Sequence, residues 1–158
     1  MVDTVVLRPL RWGERRAVLD VFEGLSERSR RLRFHGSKPR LLEQDLVQLA
    51  DVGRSGREAV AAVDRETGRT VGIARFVRDA DAPEAEIAFE VVDDWQGRGL
   101  GRALLEALRD LAREEGILRF RALIEFGNAP AFALVRGLGA ELARRYEDGD
   151  VEVVVRLA

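Results

Sequence analysis

The sequence predicts an α+β fold in which a mixed, mainly antiparallel central sheet carries helices on both faces. Three observations predict it. Three strand-like segments joined by short turns precede a glycine-rich loop, this loop opens a long amphipathic helix, and further strand segments follow to the C-terminus. The chain has 158 residues, of which 46% are hydrophobic, so it can bury the core of one domain. We therefore expect a single domain over residues 1–158.

The N-terminal third predicts one strand and three helices. Thr4–Leu7 is strand-like and is closed by Pro9. Apolar residues then recur at helical spacing in a first helix, at Val18, Val21, Phe22 and Leu25. Ser26–Phe34 predicts a short polar helix, and a third helix is marked by Leu42, Leu46 and Leu49. The first strand thus precedes a helical region before the chain returns to the sheet.

The remaining segments are mostly strands. A meander of three antiparallel strands is predicted at Glu58–Asp64, Thr70–Arg78 and Glu84–Val92. The clearest helix runs over Gly99–Glu115, with its core stripe at Leu104, Leu108, Leu111 and Ala112. The last predicted elements are a strand, a helix and two strands, at Phe120–Glu125, Ala129–Arg136, Leu142–Glu147 and Val151–Leu157.

Composition excludes several classes of chemistry. There is no cysteine, which excludes disulfides, thiolate metal sites and an acyl-cysteine intermediate. A single histidine, His35, argues against a histidine-ligated metal, so we expect no metal site. The net charge of -2 favours neither nucleic acid nor an anionic membrane. Without a signal-like N-terminus or an 18-residue apolar run, a cytoplasmic location is the expectation.

The segment Gln96–Gly101, QGRGLG, has the outline of a phosphate cradle. Gly99 and Gly101 let the backbone approach a ligand closely and turn freely. The helix that follows directs unpaired N–H groups and its positive dipole end at the loop. Arg98 and Arg102 add positive charge beside a bound phosphate. The loop therefore predicts a binding site for a phosphorylated ligand.

Three nucleotide-binding patterns can be distinguished at this loop. A P-loop requires Gly-Lys-Ser/Thr, whereas Gly101 is followed by Arg102 and Ala103. A dinucleotide fingerprint requires G-x-G-x-x-G after the first strand of a βαβ unit, and neither the spacing nor the antiparallel meander fits. The third pattern, Q/R-x-x-G-x-G/A, is matched by Gln96, Gly99 and Gly101.

With this motif and its context, the chain resembles the GNAT acetyltransferases, the superfamily related to the Gcn5 histone acetyltransferase. The resemblance implies acetyl-CoA as acyl donor and transfer of acetyl to an amine. It places the pyrophosphate on backbone amides that follow Gln96, namely those of Gly97, Arg98, Gly99, Leu100, Gly101 and Arg102. It places the pantetheine arm between the strand end Phe89, Glu90, Val91 and the side chain of Asn128. Homodimers are also common in this superfamily.

Three stretches resemble the catalytic domain of bacterial Pat-type protein lysine acetyltransferases more closely. They are LSERSRRLRF from Leu25, AEIAF from Ala85 and DDWQGRGLG from Asp93. Departures from the family pattern, at Arg31, His35 and the residues after Asn128, surround the acceptor side. Three alternatives therefore stay open: an acetyltransferase acting on a protein lysine, one acting on a small amine, and a non-catalytic CoA-binding module.

Acetyl transfer requires an amine that has lost its proton and donors for the charge that grows on the thioester oxygen. Glu86, which matches the glutamate of the Pat A-E-F-A stretch, is the predicted base, with its pKa raised by desolvation. Glu90, on the same strand face, is the alternate base, and water is a third option. The resemblance makes the Val91 N–H the oxygen donor. The position at which many GNAT enzymes carry a tyrosine acid is Val135, and Tyr146, the only tyrosine, lies on a later strand.

Overall fold

The computed structural model describes residues 4–158, in which one seven-stranded sheet has the order β1-β2-β3-β4-β5-β7-β6. The strands are β1 Val5–Pro9, β2 Arg57–Asp64, β3 Thr70–Arg78, β4 Glu84–Val91, β5 Arg119–Glu125, β6 Gly139–Glu147 and β7 Asp150–Leu157. The helices are α1 Arg15–Glu23, α2 Glu27–Phe34, α3 Glu43–Leu49, α4 Leu100–Glu114 and α5 Ala129–Arg136. All neighbouring strands pair antiparallel except β4 and β5, which are parallel.

The predicted fold class is confirmed, and helices cover both faces of the sheet. An ideal Cβ on Gly72 of β3 would lie 2.8 Å from Leu104 of α4, whereas the Arg75 side chain donates to the Leu49 carbonyl at the end of α3. Since residues 72 and 75 project from opposite faces of a strand, α4 and α3 lie on opposite sides. The first three residues of the predicted domain lie outside the described residues.

Most predicted elements are present with ends shifted by one to three residues, and the largest shift is at β6. This strand begins at Gly139, three residues before its predicted start, and pairs Gly139 with Leu157. A Cβ built on Gly139 would lie 1.6 Å from the Arg156 carbonyl oxygen, so only glycine allows β7 to approach so closely here. Gly139 therefore allows β6 to begin here, although the low strand propensity of glycine predicts a loop at this position.

Among the described residues, no helix is long and apolar enough to cross a membrane. The cytoplasmic location predicted from the sequence stays a prediction.

The two parallel strands separate partway along their length. β4 and β5 pair only from Glu84↔Arg119 to Ile87↔Ala122, although β4 continues to Val91 and β5 to Glu125. The central sheet is therefore split at its C-terminal edge for these two strands, beside the start of α4. This split positions the site described below.

A carboxylate pair lies between the start of β2 and the end of α4. Burial, and then repulsion from Glu115, raises the pKa of Glu58 above its usual 4.5. The folded protein therefore binds the Glu58 proton more tightly than the unfolded chain does, and ionisation of Glu58 at neutral pH costs stability. Stability from this group should fall as the pH rises from 4.5 through the raised folded-state pKa.

We therefore expect Glu58→Gln to stabilise the protein at pH 7 by at most about 1 kcal/mol, because solvent screens a partly exposed pair. Urea unfolding at several pH values measures the change. The gain should vanish at pH values below 4.5, where Glu58 is protonated in both states. Glu114→Gln, on the exposed side of α4, is the control and should leave the stability unchanged both at pH 7 and in acid. A gain that persisted in acid would contradict the assignment to Glu58 ionisation.

Candidate active site

A cleft of about 940 Å³ passes through the split between β4 and β5. On one face of the sheet it is walled by the loop before α4, by the first turns of α4 and by α5. On the other face it is walled by α2, including Leu32, Arg33 and His35. The cleft therefore extends to both faces of the sheet and has room for two molecules to meet inside it. The residues predicted for cofactor binding and catalysis, from Glu86 to Asn128, all line or adjoin this cleft.

The end of β4 offers unpaired backbone groups to the cleft. The Val92 N–H donates to the Val71 carbonyl over 2.9 Å, and the register pairs Glu90 with Ile73. Because alternate residues of an antiparallel strand bond to the same neighbour, the N–H and C=O groups of Phe89 and Val91 point away from β3, toward the split. Gln96 Nε2 donates to the Val91 carbonyl over 2.9 Å, which leaves the Val91 N–H and both Phe89 groups open.

The loop before α4 presents a second row of N–H groups. Gly97 has φ 75° and Gly99, which precedes the first helical residue, has φ 83°, both in the left-handed region that favours glycine. Within residues 4–158, the backbone N–H groups from Gly97 to Arg102 have no protein acceptor. The positive end of the 15-residue α4 is directed at the same place. The local geometry is that of an anion-binding helix N-terminus.

The remaining loop residues divide between packing and charge. Leu100 is buried, and a Cβ on Gly101 would lie 3.0 Å from Leu134, so Gly101 lets α4 and α5 pack closely. The Arg98 guanidinium stacks over the Trp95 ring at 4.7 Å. Arg102 is 78% exposed and makes a loose pair with Glu106 at 3.8 Å. Both arginines keep donors available at the mouth of the cleft.

Asn128 lies across the cleft from this loop. Its Oδ1 caps α5 by accepting from the Ala131 N–H over 3.4 Å, which leaves the Nδ2 donors for a ligand. Val135, at the position of the family tyrosine, is fully buried on the same helix. Tyr146 is 59% exposed and rests edge-on against Phe126, outside the cleft wall. Neither residue is placed to protonate a leaving thiolate.

Glu86 borders the cleft on the α2 side of the sheet. Its side chain is 61% exposed and receives a 3.0 Å hydrogen bond from Arg121 of β5, which is its cross-strand neighbour. The carboxylate is therefore accessible to an acceptor amine, but it does not lie in the dry environment that was expected. The predicted desolvation of Glu86 is wrong, because more than half of the side chain is exposed to solvent.

Glu90, the alternate base, lies in a buried network of charges. Arg33 of α2 donates from Nε to Glu90 Oε2 over 2.6 Å, and Arg75 of β3 lies 3.6 Å from Glu90 Oε1. The side chains of Arg75 and Glu90 are each only 8% exposed. Burial lowers the pKa of Arg75 to about 10, against the opposing attraction of Glu90. Each carboxylate oxygen of Glu90 faces a guanidinium group and the side chain is buried, so an acceptor amine has little access to it, which disfavours the role of base.

Sequence reasoning missed two arginines of this site, Arg75 and Arg121, and placed Arg33 in a basic run on the surface rather than beside Glu90. One signal was present for Arg75, because it interrupts the apolar strand TVGIARFVR at a position where its neighbours are buried. A charged residue inside such a strand indicates a buried partner on another element. Arg33 and Arg121 have no comparable signal, because their partners are distant in sequence.

The chain was compared with known proteins. The sequence profile of the Acetyltransferase (GNAT) family matches residues 16–147. The chain is 31% identical to Acetyltransferase PA5475 of Pseudomonas aeruginosa over 156 residues, which cover 98% of this chain and 83% of that protein. The crystal structure of the GNAT domain of S. lividans PAT superposes with a TM-score of 0.86 at 32% identity, over 96% of this chain and 89% of that one.

A third comparison shows the fold alone. The structure of yncA, an acetyltransferase from Salmonella typhimurium solved with its cofactor acetyl-CoA, superposes with a TM-score of 0.69 at 23% identity, over 98% of this chain and 94% of that one. The predicted resemblance to the Pat catalytic domain is confirmed by the S. lividans structure. The chain belongs to the GNAT acetyltransferase family and is an N-acetyltransferase.

Proposed function

We propose that this enzyme uses acetyl-CoA and transfers acetyl directly to a primary amine, the side chain of a protein lysine. One observation carries the proposal. The unpaired N–H groups of Phe89 and Val91 and those from Gly97 to Arg102 face one cleft that opens on both sides of the sheet. A ligand with an amide-rich arm and a pyrophosphate satisfies both rows at once, and the second opening admits the acceptor.

The cofactor is assigned to the side of the cleft that carries α4 and α5. Its pyrophosphate accepts from the backbone amides of Gly97, Arg98, Gly99, Leu100, Gly101 and Arg102, and Gln96 stabilises the loop through its bond to Val91. The pantetheine arm adds to β4 at Phe89–Val91 in the manner of an extra strand. Asn128 Nδ2 contacts the arm from the other side. Glu90 belongs to this cofactor-binding segment through its place between Phe89 and Val91 on the strand.

In the transfer step the amine nitrogen attacks the thioester carbonyl carbon, the N–C bond forms, and the C–S bond breaks. The Val91 N–H stabilises the negative charge on the carbonyl oxygen. Glu86 takes the amine proton, directly or through a water molecule, and returns it to solvent. CoA leaves as a thiolate that solvent protonates, because Val135 offers no acid. With no cysteine in the chain, both substrates are bound together when transfer occurs.

A protein lysine is favoured by the similarity to the S. lividans PAT domain and by the exposed acceptor side, where Glu86 is open to solvent. A small amine is the second candidate, because the α2 wall departs from the family pattern at Arg31 and His35. Release of CoA thiol from acetyl-CoA, measured against lysine peptides and a panel of small amines, distinguishes the two. Higher kcat/KM for small amines would overturn the lysine assignment.

Gly99→Ala should weaken acetyl-CoA binding by about tenfold or more, because alanine at φ 83° is strained and the loop must change its N–H directions to relieve it. Titration calorimetry with CoA measures the loss. Gly116→Ala is a matched control: Gly116 follows the other end of α4 at φ 78°, and a Cβ meets nothing within 4 Å at either glycine. Equal affinity losses in both variants would contradict the assignment of the loop to the pyrophosphate.

A further inference from the structure

The buried network of Arg33, Glu90 and Arg75 connects the two sides of the cleft. Glu90 lies between Phe89 and Val91, the two residues whose backbone groups face the split. Arg33 lies on α2, which forms the wall of the acceptor opening. The 2.6 Å bond between them joins this wall to the strand segment assigned to the thioester. Their side chains are only 15% and 8% exposed, so solvent does not replace the bond readily.

α2 is held in place mainly by polar contacts, among them the hydrogen bonds from Arg30 to the Phe22 carbonyl over 3.2 and 3.0 Å. Not one of its eight residues is buried, and its apolar contacts are at the edge of the core, such as Phe34 against Phe22 with ring centroids 6.0 Å apart. Near the C-terminal end of α2, Arg31 lies 4.0 Å from Glu125 and His35 lies 3.1 Å from Asp150. Both partners are at the end of the sheet where β5 ends and β7 begins. The position of α2 therefore depends mainly on polar contacts, of which Arg33–Glu90 is the most buried.

Arg75 contacts Glu90, the carboxylate partner in the Arg33–Glu90 bond. It is a diagonal neighbour of Glu90 on β3, approaches Oε1 to 3.6 Å and leaves Oε2 to Arg33. Glu90 thus has one oxygen directed to the sheet and one to α2. Rotation of the carboxylate away from Arg33 would therefore also change its 3.6 Å contact with Arg75.

We propose that Arg33 is a positioning residue. It acts through Glu90 to keep α2, the wall of the acceptor side, at a fixed distance from the thioester. This inference rests on the proposed transfer reaction. Arg33 does not touch the reacting atoms in this assignment; it sets the distance between the acceptor opening and the Phe89–Val91 edge. Loss of the bond should impair use of the acceptor, while the cofactor loop on the opposite face of the sheet keeps its geometry.

The test compares Arg33→Gln with Arg33→Lys and with a matched control, Arg69→Gln. Arg69 also pairs with a glutamate of another element, Glu23 at 3.3 Å, but both side chains are about half exposed and neither lines the cleft. For Arg33→Gln we expect kcat/KM for the acceptor to fall roughly 10- to 100-fold, as for loss of a charged hydrogen bond, with an unchanged Kd for acetyl-CoA. Arg33→Lys should recover part of the loss, and Arg69→Gln should match the wild type.

A double-mutant cycle tests the route through Glu90. Glu90→Asp keeps the charge beside Arg75 but withdraws the carboxylate from Arg33 by one methylene. In the wild-type background it should reproduce much of the Arg33→Gln loss, and in the Arg33→Gln background it should add little. Additive effects, or a matching loss of acetyl-CoA affinity in Arg33→Gln, would overturn the proposal, because Arg33 would then act on a substrate directly.

Hydrogen exchange separates this inference from the proposed function. Amides of residues 27–34 should exchange about tenfold faster or more in Arg33→Gln than in the wild type, whereas amides of α4 should not change. Unchanged exchange in α2 refutes the positioning role whatever the activity. If the wild type binds acetyl-CoA but releases no thiol with any amine, the proposed transfer reaction fails, and the exchange result still decides whether Arg33 holds α2.

Discussion

Glu86→Gln is expected to lower kcat for acetyl transfer by about 10²- to 10⁴-fold, the usual contribution of a positioned general base. An ammonium has no lone pair for attack, and Glu86 is the carboxylate that borders the cleft while remaining accessible from the acceptor side. Glutamine keeps the size of the side chain and can still contact Arg121, so the Kd for acetyl-CoA should not change. Steady-state thiol release and calorimetry on the same variant measure both quantities.

A matched variant on the same strand makes the test specific to Glu86. Glu84→Gln is the matched control, because Glu84 lies on the same strand and face and also contacts Arg121, at 2.7 Å, but does not line the cleft. An unchanged kcat in Glu86→Gln would remove Glu86 as base and leave the step to water.

The order of elements could be predicted from the sequence because each element carries a local signal. The meander, the glycine loop and α4 follow from alternation, from turn residues and from a stripe of leucines, all of which act within a few residues. The Q-x-x-G-x-G pattern likewise depends on local backbone geometry: Gly99 has φ 83°, which favours glycine, and a Cβ on Gly101 would lie 3.0 Å from Leu134.

The environment of the two glutamates could not be predicted in the same way. Alternation placed Glu86 and Glu90 on one face, but their surroundings depend on distant elements. Glu90 is enclosed by Arg33, 57 residues away, whereas Glu86 pairs with Arg121 of β5 and stays 61% exposed. Identical residue types four positions apart therefore received opposite environments from tertiary structure. Period and propensity contain no information on which helix covers which end of a strand.

The contrast between these glutamates leads to a second large expected effect. Glu90→Leu should destabilise the fold by about 3–5 kcal/mol, because it leaves the fully buried Arg75 and the largely buried Arg33 without their counter-charge. Burial already lowers the pKa of Arg75 to about 10 in the presence of Glu90, which shows how unfavourable its charge is at this position. Urea unfolding at neutral pH, analysed by linear extrapolation, measures the loss.

Two further variants decide the physical origin of that loss. Glu86→Gln should change the free energy of unfolding by no more than about 0.5 kcal/mol, because its exposed pair with Arg121 is screened by water. The double variant Arg75→Met/Glu90→Leu should recover most of the stability lost in Glu90→Leu, since an apolar pair of similar volume removes the uncompensated charge. If the double variant were as unstable as Glu90→Leu, the loss would come from disturbed packing rather than from a buried charge. Glu86 would thus affect the rate of transfer with little effect on stability, whereas Glu90 would affect the stability of the sheet and, through Arg33, the use of the acceptor.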